Sequence, residues 1–150
     1  MESNFKVKLV WPVDKNNLKH KDYSNELADN TNLVETNEHT FLVSSGLVGN
    51  SETLNPEVLL LSALSSCHFM TFYSIANKAR LGLRYYEDNS ELFLEGDKIK
   101  FASKINLNVK MKFNTDVTKE KVLEIHEKAH KYCIVANSIK AQVNVNVEIL

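Results

Sequence analysis

The sequence predicts an α+β fold with antiparallel sheets, and three stretches carry that prediction. Asn55 to Ala79, NPEVLLLSALSSCHFMTFYSIANKA, reads as one long helix that is apolar or small nearly all round, the pattern of a buried helix. From Ile99 to Phe113, apolar side chains alternate with mostly polar ones over fifteen positions, as in a strand with one buried face. Val122 to Cys133 returns to helical spacing, and Ile139 to Ile149 returns to alternation. Strands, a long helix, strands, a helix and a strand form a segregated order, which favours α+β over a βαβ repeat. There is no internal repeat and no linker, so residues 1–150 are expected to form a single domain. That length buries roughly 68–70% of the unfolded surface.

Taken in order, Phe5, Val7, Leu9 and Trp11 alternate with Lys6, Lys8 and Val10 as a first strand, ended by Pro12. The following DKNNLKHKDYSNELADN is polar and turn-rich, basic first (Lys15, Lys19, His20, Lys21) and acidic after (Asp22, Glu26, Asp29); it reads as a solvated hairpin loop. Leu33–Val34 and Thr40 to Ser44 are short strands, and Gly46 and Gly49 lead into the long helix. Asn55 caps that helix, Pro56 suits its first position and Glu57 sits where the dipole favours an anion. Gly82 is the expected terminator. Arg84 to Leu94 reads as a strand interrupted at Asp88–Asn89, and Glu95 to Lys98 as a turn. Thr118 caps the second helix.

Composition narrows the function. A net charge of −1 gives no global field for nucleic acid or an anionic membrane. Ser62, Ser65, Ser66, His68, Thr71 and Ser74 interrupt the long apolar run, so a core helix is the better reading than a membrane span. The N-terminus lacks a signal-peptide run, which points to the cytoplasm. One small domain covers a helix of this kind only in part, and a second copy of the chain would cover the rest as an obligate homodimer.

Cys67 and Cys133 are the only cysteines. Each is either a small buried apolar residue or half of a redox pair. Both fall on inward faces of the two helices, so packing would bring them towards the Cα spacing of roughly 4.4–6.8 Å that a disulfide needs. A reactive thiol requires a cation or a hydrogen-bond donor. His68 follows Cys67 directly, but consecutive helical residues do not face each other. Glu57 precedes Cys67 by ten positions, about 15 Å on one straight helix; it reaches the thiol only across a dimer interface, from a helix break or through an intervening cation. A second constellation, His126-Glu127-Lys128-Ala129-His130, matches the H-E-x-x-H of zinc peptidases. Apart from Cys133, only Glu148 follows as a third ligand, and Lys128 and Lys131 crowd charge into the region. No metal and no cofactor is therefore expected.

Read together, NPEVLLLSALSSCHFMTF and AHKYCIVANSI resemble the two cysteine motifs of the OsmC/Ohr family, the osmotically inducible protein C and organic hydroperoxide resistance proteins. The 66-residue separation of the cysteines and the order of elements are similar as well. The resemblance implies an intertwined homodimer with the long helices central and the sheets outside. It implies a cysteine-based peroxidase of organic (alkyl or lipid) hydroperoxides, with Cys67 peroxidatic and Cys133 resolving. A dithiol reductant, lipoyl or similar, would reopen the disulfide. Glu57 matches the glutamate that orients a catalytic arginine, and Leu60, Leu64, Phe69, Met70 and Phe72 would line an apolar substrate site. One departure stands out: in DYSNE, Asn25 occupies the position of the family's arginine, and the only arginines are Arg80 and Arg84. Lys15, Lys19, His20 or Lys21 would have to substitute. The alternative is a catalytically weakened OsmC-like dimer that binds an apolar ligand at its interface.

Overall fold

The structure is a computed structural model that describes residues 5–22, 29–45 and 53–150. Asn25, Gly46 and Gly49 lie outside the described residues. The chain divides into two compact units, Met1–Leu59 and Leu60–Leu150.

In the first unit, strands β1 (Lys8–Val10), β4 (Asn32–Glu35) and β5 (Thr40–Val43) form an antiparallel sheet in the order β1-β4-β5. Between β1 and β4, the polar loop folds back as a two-stranded hairpin, β2 (Val13–Asp14) with β3 (Lys19–His20). Asp14 builds its turn by accepting from the Asn16 and Asn17 backbone N–H groups. Val13, Leu33 and Val43 are buried. The first strand is shorter than the alternation predicts, and its apolar face is uncovered: Phe5 is 91% exposed, Val7 70%, Leu9 63% and Trp11 52%.

Helix α1 runs unbroken from Pro56 to Lys78. Asn55 caps it as expected, its side-chain oxygen accepting from Val58 N at 2.8 Å. In the single chain, however, α1 buries one stripe only, Leu64, His68, Phe72 and Ala76. Val58, Met70 and Tyr73 remain exposed. The helix is long and apolar enough to meet the length and hydropathy of a membrane span, but its stripe packs on protein. Its end differs from the expectation. Leu81 N bonds to Ala76 O and Arg80 N to Asn77 O, a Schellman closure. Arg80 (φ 56) takes the left-handed position, with Gly82 (φ 68) also left-handed two residues later.

The second unit is built on β8 (Phe101–Phe113). Along one edge run β6 (Leu83–Asp88) and β7 (Glu91–Glu95), both antiparallel to it. They are one strand interrupted beside Asp88, whose Oδ1 accepts from Asn108 N at 2.9 Å. On the other edge, β9 (Gln142–Ile149) pairs with β8 in parallel. This ladder departs from antiparallel pairing because the chain crosses between the two strands through helix α2 (Lys119–Tyr132) and a 3-10 turn, Ala136–Ser138. Thr118 caps α2, accepting from Lys121 N at 3.2 Å. Ile105, Leu107, Val109 and Met111 face the helical side, where they form one buried cluster with Leu64, Phe72 and Ala76 of α1 and Val122, Ile125, Ala129 and Cys133.

Candidate active site

The two cysteines meet where α1 and α2 pack together. Cys67 lies in the fourth turn of α1 beside the buried stripe and is half-buried; Cys133 caps the C-terminus of α2 and is fully buried. Both are free thiols. Their positions follow from helical periodicity: Cys133 continues the inward row Val122, Ile125, His126, Ala129.

Past Cys133 the chain turns sharply, and the residues of the motif C-I-V-A-N-S build the turn. Asn137 donates its side-chain N–H groups to Lys131 O and Cys133 O, each at 2.9 Å, and Ser138 Oγ donates to Ile134 O at 2.7 Å. Ala136 N donates to Cys133 Sγ at 3.4 Å. The spacing of Asn137 and Ser138 is legible in the sequence, but their job of turning amides towards sulfur is not.

That turn sets the electrostatics of the pair. Burial pushes the Cys67 thiol up, but the Val135 N–H, the Cys133 thiol, the Ile134 N–H and the Thr71 hydroxyl together bring it below the ordinary cysteine value. Cys133 moves the other way: burial raises it, the Ala136 N–H lowers it, and the neighbouring Cys67 sulfur raises it again. The two surroundings thus favour a thiolate on Cys67 over one on Cys133. No guanidinium takes part. Arg80 and Arg84 stand beyond the far end of α1. In the first unit, Lys15 pairs with Asp29 at 2.6 Å and His20 with Asp22 at 2.8 Å. Glu57, in the first turn of α1, has its Oε2 buried without a hydrogen-bond partner among the described residues. Because α1 is unbroken, a helix break cannot bring Glu57 to the thiol.

His68 turns away from Cys67, as helical geometry predicts, and meets His126 across the helix pair. His68 Nε2 and His126 Nδ1 are 2.9 Å apart, and the rings are parallel within 5°. Phe72 stacks on His126 with centroids 4.1 Å apart. Burial, reinforced by His130, holds His68 down to about 4. Burial, reinforced by His68, holds His126 down to about 3. Both rings are therefore neutral. This arrangement also absorbs the H-E-x-x-H match. His126 is engaged with His68, His130 is exposed, and among the described residues no group of three or more His, Cys, Asp and Glu could hold a metal.

The expected apolar lining is only partly placed. Leu64 and Phe72 point into the core rather than at a ligand. Phe69 packs on Tyr86 and lines a groove with Leu61, Ser65 and Asp88, while Met70 is 58% exposed. The apolar side chains flanking Cys133 at the surface are instead Tyr132 and Ile134, 62% and 76% exposed.

Fold and site define an α+β protein with a thiol pair at the contact of its two helices. Residues 49–148 match the OsmC-like protein family, and the chain belongs to it. An OsmC-like protein of unknown function from Vibrio cholerae superposes with a TM-score of 0.80 at 24% identity, over 99% of this chain and 100% of that one. An OsmC-like protein from Mycoplasma pneumoniae gives 0.75 at 14% identity, over 100% and 99%. The organic hydroperoxide resistance protein OhrB of Bacillus subtilis gives 0.63 at 16% identity, over 97% and 98%. Comparison with curated protein sequences finds no match.

Proposed function

We propose that this chain is a cytoplasmic thiol-dependent peroxidase for organic hydroperoxides, acting as a single OsmC-like domain in a homodimer. The observation that carries the reading is the meeting of two free thiols, half-buried Cys67 and buried Cys133, where the two helices pack. The Cys67 thiolate attacks the distal oxygen of ROOH. The O–O bond breaks, the alkoxide takes a proton and leaves as ROH, and Cys67 becomes a sulfenic acid. Cys133 then attacks that sulfur; water leaves and a disulfide forms. A dithiol of the lipoyl class reduces the disulfide by exchange and is itself oxidised to a disulfide. The Ile134 and Val135 amides take the role a cation would otherwise have, since a thiolate needs donors. Glu57, whose Oε2 is buried without a partner among the described residues, is assigned to orienting a cation for the thiolate of a partner chain across the dimer interface.

The dimer accounts for surface that one chain leaves bare: the outer face of α1 at Val58, Met70 and Tyr73, and Phe5, Val7, Leu9 and Trp11. A monomeric mass in light scattering at micromolar concentration would refute it. For the activity, Cys67→Ser should abolish consumption of cumene hydroperoxide, and rapid reduction by that variant would overturn the assignment. The absence of arginine from the candidate position at Asn25 favours one rival, an OsmC-like dimer that binds an apolar ligand without turnover. A hydroperoxide that leaves Cys67 unoxidised in the wild-type protein would decide for the rival.

A further inference from the structure

We propose that the notch at the C-terminal end of α1 is a binding site for a small oxyanion, a phosphate or carboxylate group. The chain has two arginines, Arg80 and Arg84, and both line this cavity of about 380 Å³ together with Tyr73, Asn77, Asn114 and Thr115. None of its lining residues is acidic. Among the described residues, neither guanidinium has an ion-pair partner. Planar guanidinium forks match carboxylate and phosphate oxygens in pairs.

The notch is built rather than incidental. Thr115 Oγ1 donates to Leu81 O at 2.6 Å and Asn114 N to Gly82 O at 2.9 Å, so the loop is tied to the helix end. With its amide oriented to satisfy both ends, Asn114 donates to Gly82 O and accepts from Arg84 Nε, each at 3.0 Å, and from Arg84 Nη2. Arg84 is thereby held in place, with three of its five N–H groups unused among the described residues. Gly82 permits this approach: a Cβ there would meet the Asn114 side-chain amide at 1.8 Å.

Arg80 adds an independent observation. It occupies the left-handed position of the helix closure, φ 56, where glycine is the relaxed choice. A non-glycine residue held there is strained, and such strain persists where a side chain is needed. The helix end itself carries partial negative charge, which disfavours an anion; Lys78 in the last turn and the two guanidiniums outweigh it. Arg80 follows Cys67 by thirteen positions, roughly 20 Å along the helix. This site and the thiol chemistry therefore stand or fall separately.

The test is an NMR titration of the full-length, nitrogen-labelled protein with inorganic phosphate and, separately, with acetate, at constant ionic strength. Saturable shifts of the Gly82 and Thr115 amides and the arginine Nε–H signals are expected in at least one arm, and the stronger arm identifies the oxyanion. Arg80→Gln should weaken that binding at least about tenfold, and Arg80→Lys less. Arg84→Lys serves as the second variant, because Arg84→Gln also removes the brace on Asn114. No saturable shift with either anion, or unchanged affinity in Arg80→Gln, would overturn the proposal.

Discussion

Replacing His68 and His126 together by phenylalanine should free the fold from much of its sensitivity to mild acid. In the native protein, the two imidazoles share one hydrogen bond in a buried aromatic stack and are held down to about 4 and about 3. In the unfolded chain each returns to an ordinary value of ~6.5. The unfolded state therefore binds more protons below that value, and stability rises with pH. The contribution is complete above pH ~6.5 and is lost on acidification until the folded rings themselves titrate. From pH 7 to 5 each histidine weakens the fold by about 2 kcal/mol, so the pair does so by about 4 kcal/mol. That is a large fraction of a typical stability of roughly 5–15 kcal/mol. Urea unfolding followed by circular dichroism at pH 7, 6 and 5 measures it: the wild-type midpoint should fall steeply and that of the double variant should stay nearly level. Phenylalanine keeps the stacking on Phe72 and removes two ring nitrogens that have no partner among the described residues, so the variant should fold. Equal slopes for the two proteins would refute the reasoning.

Three further outcomes follow from the same geometry. Cys133→Ala removes the neighbouring thiol that helps to lower Cys67 and should raise the Cys67 pKa; alkylation of Cys67 against pH reads this directly. Asn137→Ala unties the turn from Lys131 O and Cys133 O and should cost about 1–3 kcal/mol in chemical unfolding. Arg80→Gly relaxes the left-handed helix closure and should raise stability by about 1 kcal/mol, visible as a higher Tm, while abolishing any oxyanion binding at the notch.

Much of this molecule is legible in its residues because periodicity reports burial. The alternation before Phe113 and the Asn55 and Thr118 caps locate β8 and both helices within a few residues. The interruption at Asp88 is visible too, because an acidic side chain facing Asn108 N substitutes for the ladder. Other features depend on partners that one-dimensional patterns do not name. Alternation in Phe5 to Trp11 marks an apolar face but not what covers it, and in the single chain it is bare. Leu64 and Phe72 are as apolar as any substrate lining, yet the i, i+4 row that includes His68 turns them into the core. The direction in which β9 joins β8 is decided by the crossover through α2, which strand patterning does not encode. Of the site, the two thiols were readable from their helical faces, whereas the amides that polarise them belong to backbone, which carries no residue signal. Asn25 marks a missing cation without indicating its replacement.

The account rests on Cys67 and Cys133 acting as one redox pair. Wild-type protein treated with one equivalent of cumene hydroperoxide, blocked with an alkylating agent and analysed by intact mass and non-reducing peptide mapping tests that most directly. Loss of two hydrogens and a single cross-linked peptide joining Cys67 to Cys133, reopened by a lipoyl dithiol, are the expected results. Two alkylated, unoxidised thiols after the same treatment would contradict the pairing.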